Sequence, residues 1–435
     1  MTAGVLLGID IGSSSVKAAT FDLDGRQVDA TRVPCDSAGE FEPGRWWTAT
    51  EEAIGAIDCS SVLAASVCGR GGTNVLLDAR GNVVAPSWND RRAHAEYREL
   101  AAMHPGLSRA AMNLLAKARW WERNHGPVSA AMTAKDFVVL RLTGAAVADP
   151  ASGAGRGTGT APLVAAQDPW ALAGRVTPEV WRATQIATGT PVAVGWHDGA
   201  AAAFGAGAST PGTAVITLGT NAVYRIVTGA IPRGLPLYWD LTPGVTVTGG
   251  DITAAGTAMA WARALLPGAS MQRSRPGAAG VTFLPQFGGR IAPDLKRDVR
   301  GAFHGLDGTQ TADDMLRAVG EGIAYSLRQV REQLAAGGLR AERTIATGGG
   351  AKEPAQAQIV ADVLQGPVLV AECEEGCRGA ALLGAVAAGL IDLEAARTLA
   401  PSYRRFAPEP ATAEAYDAAY RRFLAVQAAT DRIEP

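Results

Sequence analysis

Asp10 lies in the run Gly8-Ile9-Asp10-Ile11-Gly12-Ser13-Ser14-Ser15-Val16-Lys17, where small residues leave backbone N–H groups open and a cation follows. Such a turn can form an anion-binding nest for phosphate, with Asp10 holding the water shell of Mg²⁺. A plain hairpin turn with a buried Asp fits the same residues, and Leu218-Gly219-Thr220-Asn221 poses the same choice. Asp198 stands in Gly195-Trp196-His197-Asp198-Gly199, directly before an Ala-rich segment. A carboxylate there is either a proton acceptor or the N-cap of a helix beginning near Ala200. His197 either tunes Asp198, touches substrate or is a packed structural residue. Gly348-Gly349-Gly350-Ala351 holds more glycine than one positive-φ turn requires, so a flat ligand approaching the backbone is the favoured reading. In Trp88-Asn89-Asp90-Arg91 an indole face can stack on C–H surfaces while Asn89 and Asp90 hydrogen-bond hydroxyls; an exposed loop is the alternative. Neither a Walker A loop nor a GxGxxG fingerprint occurs.

The elements that must carry these residues alternate between strand and helix. Val5–Asp10 reads as a buried strand, Ile11–Ser15 as a small-residue turn, Val16–Leu23 as a second strand, and Asp24-Gly25 as a tight turn. Gly212–Thr228 repeats that strand–turn–strand logic, which suggests two lobes built alike, 1–208 and 209–435. Helices are expected at Trp46–Ile57, Ala93–Met103, Met132–Leu142, Ala312–Leu334 and from about Pro354 to Leu364. Strands are expected at Pro191–Val194 and Arg343–Thr347, each running into a Gly-rich turn. The pattern is α/β.

A chain of 435 residues favours two domains over one core. With 47% hydrophobic and 19% charged residues the composition is that of a globular protein. A formal net charge of −2 gives no electrostatic reason to expect nucleic acid or an anionic membrane surface as partner. The N-terminal apolar run is short, lacks a basic flank and is broken by Asp10, so it reads as a strand, not a signal peptide. No apolar stretch approaches the roughly 20 residues that span a bilayer. Cys35, Cys59, Cys68, Cys373 and Cys377 form no metal-type pair and read as small apolar filler. Few cysteines and no leader make a cytoplasmic setting the expectation.

Taken together the motifs resemble the FGGY family of carbohydrate kinases, which includes glycerol kinase and xylulokinase, almost from end to end. Gly8–Lys17 is similar to its first phosphate motif, Trp88–Arg91 to its substrate segment, and Lys117-Ala118-Arg119-Trp120-Trp121 to its first signature. Gly219-Thr220 resembles its second phosphate turn. Phe283-Leu284-Pro285, Gly289-Arg290, Pro293 and Arg300–Leu306 follow in the family's order, and Gly348–Lys352 resembles its adenosine motif. The resemblance implies two ribonuclease H-like (actin-like) lobes, each a mixed β-sheet flanked by helices, with an ATP cleft between them. It implies ATP and Mg²⁺ as cofactors and a small sugar or polyol as phosphoryl acceptor, with a homodimer as the expected assembly.

By the same resemblance Asp198 is the general base. Asp10, Gly12, Ser13, Ser14, Lys17, Gly219 and Thr220 serve the phosphates, with Asp10 holding Mg²⁺ through water. Gly349, Gly350 and Ala351 serve adenosine, while Arg70, Trp88, Asn89, Asp90 and His197 serve the substrate. The chain departs from the pattern at Gly71 and Gly72, where glycerol kinases keep Arg-Glu and xylulokinases Met-His. It departs again at Gly199, where an amide is usual, and at Met112, where glycerol kinases have tyrosine. Losing these groups changes the preferred acceptor; a catalytically weak sugar- or nucleotide-binding sensor is the alternative reading.

Overall fold

The computed structural model describes residues 4–12, 14–35, 43–71, 73–78, 83–84, 92–104, 109–152, 164–235 and 239–432. The first stretch of chain gives β1 (Val5–Ile11), β2 (Ser15–Phe21), β3 (Gln27–Pro34), α1 (Gly44–Gly55) and β4 (Val62–Gly69). Next come α2 (Arg109–His125), α3 (Ala134–Thr143), β5 (Leu172–Arg175), β6 (Pro191–Ala193), β7 (Trp196–His197) and α4 (Asp198–Gly205). Then follow β8 (Thr213–Leu218), β9 (Ala222–Thr228), β10 (Trp239–Thr242), β11 (Val245–Ile252), α5 (Gly256–Leu265) and α6 (Ala312–Ala336). The chain ends with β12 (Arg343–Thr347), α7 (Pro354–Leu364), β13 (Val368–Ala371), α8 (Glu375–Ala387), β14 (Tyr403–Phe406) and α9 (Ala413–Thr430).

Two compact units result, residues 1–207 with 373–402, and 208–372 with 403–435. In the first, the sheet runs β5-β6-β4-β1-β2-β3, with β7 also paired to β4. β1, β2 and β3 are antiparallel neighbours, while β4 joins β1 in parallel and β6 and β7 join β4 in parallel. β1 is buried on both faces, as its near-continuous apolar run requires, and β3 at the edge is mostly exposed and polar. The second sheet runs β10-β11-β9-β8-β12-β13-β14. Its β8, β9 and β11 are antiparallel, and β12 and β13 extend it in parallel. Three antiparallel strands followed by parallel additions is thus the plan of both sheets, which is what the repeated strand–turn–strand segments lead one to expect.

The division at 208/209 does not provide for one excursion. Residues 373–402 return to the first unit because α8 lies against β1 and α4 at backbone contact distance. A Cβ on Gly8 would sit 1.7 Å from the Cys377 carbonyl oxygen, and one on Gly379 would sit 2.0 Å from that of Ala201. Only glycine permits such approach. The loop before α8 therefore belongs with Asp10 and Lys17, though it follows them by more than 350 residues.

Local signals explain most ends. Thr133 and Asp136 form a capping box at α3, and Thr311 and Asp314 do so at α6. Pro354 opens α7 at its first turn. The expected helix Met132–Leu142 starts two residues later, since Val128–Thr133 is a strand paired with Asn74–Asp78. No helix was expected at α2. Among the described residues no helix is long and apolar enough to cross a membrane. All five cysteines are buried and none is in a disulfide, in keeping with their reading as filler.

Candidate active site

In the first unit the strand register brings four residues into one row, Lys17 on β2, Asp10 on β1, Cys68 on β4 and Trp196 on β7. Directly paired residues share a face of the sheet, and Asp10 and Cys68 lie near the carboxyl ends of parallel strands. The same face receives the first turn of α8. A Cβ on Gly376 would lie 3.1 Å from Asp10 Oδ2 and 3.4 Å from Cys68 Sγ. The Cys68 thiol donates to the Gly376 carbonyl at 3.3 Å. Burial pushes this thiol and that of Cys377 well above the ordinary value, so both are packing groups, not nucleophiles.

Asp10 is the electrostatic centre of this row. Lys17 Nζ stands 3.8 Å from its Oδ2 and 2.8 Å from a carboxylate oxygen of Glu374, just before α8. Burial raises the Asp10 carboxyl to about 6, with Lys17 opposing and Asp198 adding to the rise. Burial pulls Lys17 down, but Asp10 and Glu374 outweigh it and keep the ammonium charged. Asp10 Oδ1 is buried and has no hydrogen-bond partner among the described residues. A buried acceptor left open is costly unless a ligand completes it. Glu374 escaped the sequence reading because its only signal was a Glu-Glu pair far along the chain.

The turn after Asp10 is tight. Gly12 donates to the Ser15 carbonyl at 3.0 Å, and a Cβ at Gly12 would lie 2.9 Å from that oxygen. Ser14 is exposed, and its carbonyl accepts from the Cys35 amide at 2.9 Å. Ser13, Gly72, Trp88, Asn89 and Asp90 lie outside the described residues.

Asp198 does not take the N-cap position, the alternative reading of its place before the Ala-rich segment. The helix starts at Asp198 itself, and its N-cap is His197, whose Nδ1 accepts from the Ala200 amide at 3.3 Å. The Asp198 carboxylate accepts only the neighbouring Gly199 amide at 2.7 Å among described groups and is half-buried. Histidine replaces Asp198 as the cap because β7 ends on His197 in extended backbone, the geometry a cap needs. The carboxylate is thereby left facing other chemistry. Gly71 stands beside this turn, and among the described residues a Cβ there would meet nothing nearer than the His197 Cβ at 3.9 Å. Arg70 anchors the same segment through its amide, which donates to the Ile11 carbonyl at 3.1 Å.

The second unit offers a separate pocket of about 320 Å³. Gly219, Met259, Arg263, Gly349, Gly350 and Gln356 are among its walls. Gly348 has φ +86° and presses on the Leu218 carbonyl, so it is glycine for backbone reasons. Gly349 has open space where a Cβ would be, so its missing side chain enlarges the pocket. Ala351 is buried and does not line the pocket; its amide closes the turn on the Gly348 carbonyl at 3.1 Å. Thr220 is exposed, and its carbonyl receives the Ala255 and Thr257 amides, each at 3.2 Å. Gly256 approaches Gly219 so closely that a Cβ would sit 2.6 Å from its carbonyl oxygen. Arg263 pairs with Glu353 at 2.5 Å beside the opening. Met259 and Arg263 come from α5, a helix with no motif by which the sequence could announce them.

Among the described residues no group of three or more His, Cys, Asp or Glu side chains is placed to hold a metal ion. A divalent cation here would meet the Asp10 carboxylate first, with Asp198 and Glu374 near enough to act on Asp10 electrostatically. That suits Mg²⁺, which keeps most of its water and takes one or two carboxylates together with phosphate oxygens.

Residues 214–388 match the sequence profile of the FGGY family of carbohydrate kinases, C-terminal domain. The chain is 28% identical over 414 residues to a xylulose kinase of Escherichia coli strain K12, covering 82% of this chain and 84% of that protein. It is 30% identical over 264 residues to a gluconokinase of Bacillus licheniformis, covering 55% of this chain and 51% of that one. The crystal structure of xylulose kinase from Rhodospirillum rubrum superposes with a TM-score of 0.80 at 27% identity, covering 99% of each chain. Both units therefore have the actin-like ATPase fold of these kinases.

Proposed function

Because this chain belongs to the FGGY family of carbohydrate kinases, ATP-dependent phosphotransferases, we propose that Asp198 is the general base that deprotonates the accepting hydroxyl. The observation that carries this reading is the opening of α4. His197 takes the cap, so the Asp198 carboxylate does not serve as the N-cap and lies near enough to Asp10 to act on it electrostatically.

The remaining residues divide the work. Asp10 would hold Mg²⁺ through water, which its Oδ1, without a partner among the described residues, supports. Mg²⁺ supplies neutralisation of the phosphate charge when bound. Lys17, kept charged by Asp10 and Glu374, adds a fixed cation; Gly12 shapes the phosphate turn through its amide hydrogen bond to Ser15, and Ser13 and Ser14 are the residues we assign to the phosphate oxygens. In the second unit Gly219 and Thr220 form the other phosphate turn. Gly349 and Gly350 border an opening that admits a nucleoside, its volume being near the lower end for ligand pockets. Ala351 supports that turn from within. Arg70, His197, Trp88, Asn89 and Asp90 orient the sugar, and Asp198 accepts its proton at the moment of transfer.

The acceptor we propose is a sugar or sugar acid larger than glycerol. The space at Gly71 beside His197 favours it, as do relatives named for xylulose and for gluconate. A panel of pentuloses, hexuloses, aldonates and polyols, tested with Mg²⁺ and ATP for ADP release, is the direct test. Release that depends on one compound and yields its phosphate supports the proposal. Release independent of every compound, or dependent on glycerol alone, contradicts it. The expected homodimer is measured separately by sedimentation of the native protein.

A further inference from the structure

Beside the site lies a charged cluster that the reaction described above does not use. Lys135 is 1% exposed, and Asp136 and Asp149 are fully buried. Lys135 Nζ bonds Asp136, lies 3.0 Å from Asp149 Oδ2 and donates to the Val194 carbonyl at 3.4 Å. Asp136 in turn receives the Thr133 amide at 3.0 Å and hydroxyl at 2.6 Å. Asp149 receives the Ala151 amide at 3.0 Å, the Ser152 amide at 3.2 Å and the Ser152 hydroxyl. Burial pushes the Asp149 carboxyl up, but Lys135 and His197 outweigh it and hold it below its ordinary value. The two carboxylates exceed the one ammonium, and apolar side chains of similar shape would fill this core at lower cost.

The location gives the cluster a purpose. Val194 leads through Gly195, at φ +78°, into Trp196, His197 and Asp198. A Cβ on Gly69 would lie 3.1 Å from Lys135 Cβ, which puts the lysine stem under the ends of β1 and β4. The Ala134 amide reaches the Thr73 carbonyl at 3.0 Å, tying α3 to the segment that carries Arg70 and Gly71.

We propose that Lys135, Asp136 and Asp149 are positioning residues for the acceptor side of the reaction. Asp136 and Asp149 hold Lys135, Lys135 fixes Val194, and the chain from Val194 leads to His197, which caps the helix that opens with Asp198. The proposal rests on Asp198 being the base, and its test separates the two. Asp149→Asn keeps the side-chain shape and removes the charge. Phosphorylation of the sugar is measured in single turnover for wild type, Asp149→Asn, Asp198→Asn and the double variant, with ATP affinity and thermal midpoint alongside.

The expected result is a kcat lowered on the order of 10–100-fold by Asp149→Asn, with ATP affinity within about twofold. In the Asp198→Asn background the same change should cost less than about twofold, because both act through one group. An equal loss in both backgrounds, or no loss in wild type, overturns the proposal while leaving the base intact. Wild-type rates for Asp198→Asn overturn the base assignment and this proposal together. Should Asp149→Asn fail to fold, Ser152→Ala, which removes only the hydroxyl bonded to Asp149, replaces it and is judged by the same outcomes.

Discussion

Replacing Asp10 by Asn should stabilise the ligand-free protein at neutral pH while abolishing most of its activity. Burial lifts the Asp10 carboxyl from its ordinary 3.8 to about 6 in spite of Lys17. At about 1.36 kcal/mol per pH unit, ionising it in the folded state costs about 3 kcal/mol. The folded pKa lies above the unfolded one, so the folded protein binds the extra proton between about pH 4 and 6. Stability is therefore lost as pH rises through that window, and asparagine, which resembles the protonated form, escapes the loss. The variant should gain about 2–3 kcal/mol at pH 7.5, and about 2–4 °C in Tm for each kcal/mol in a unit of this size. Below about pH 4 the two proteins should melt together. The assay is a thermal melt across pH 4 to 8, with and without Mg²⁺ and ATP. The ligands should narrow the difference, because they stabilise wild type more. An Asn variant that is less stable at pH 7.5, or a difference that does not change with pH, refutes the reasoning.

Three further outcomes follow from the backbone. Gly349→Leu fills open space in the second unit's pocket and should raise KM for ATP on the order of tenfold with little change in Tm; an unchanged KM would remove adenosine from that pocket. Gly205→Ala places a Cβ 1.9 Å from the Glu375 carbonyl oxygen, forcing α4 and α8 apart at a cost on the order of 3–5 kcal/mol. A soluble variant with wild-type Tm would show that this close packing is unimportant. Gly71→Met fills the space beside His197 and should reduce kcat/KM for the largest accepted sugar at least about tenfold while sparing smaller ones. Equal effects on all acceptors would place Gly71 away from the sugar.

How much of this was legible in the sequence depended on the range of the interaction concerned. The run around Asp10 announced its strands because β1 is apolar on both faces and its turn is rich in glycine and serine. β12 occupies the expected Arg343–Thr347, and Pro354 opens α7 where expected. These are signals carried by a few adjacent residues. The return of 373–402 to the first unit was not legible, since glycines that permit contact between α8 and β1 do not name their partner. The Lys17–Glu374 pair was hidden for the same reason. The cap on α4 was left as one of two readings of Asp198, which is the better capping residue in isolation; the length of β7 gives the position to His197. Met259 and Arg263 reach the pocket by the packing of α5, which no local pattern encodes.

The measurement closest to the central claim is single-turnover sugar phosphorylation by Asp198→Asn, with ATP binding determined on the same sample. The account predicts a kcat lower on the order of 10²–10⁴-fold, with ATP affinity and thermal midpoint unchanged. Phosphorylation at the wild-type rate would contradict it.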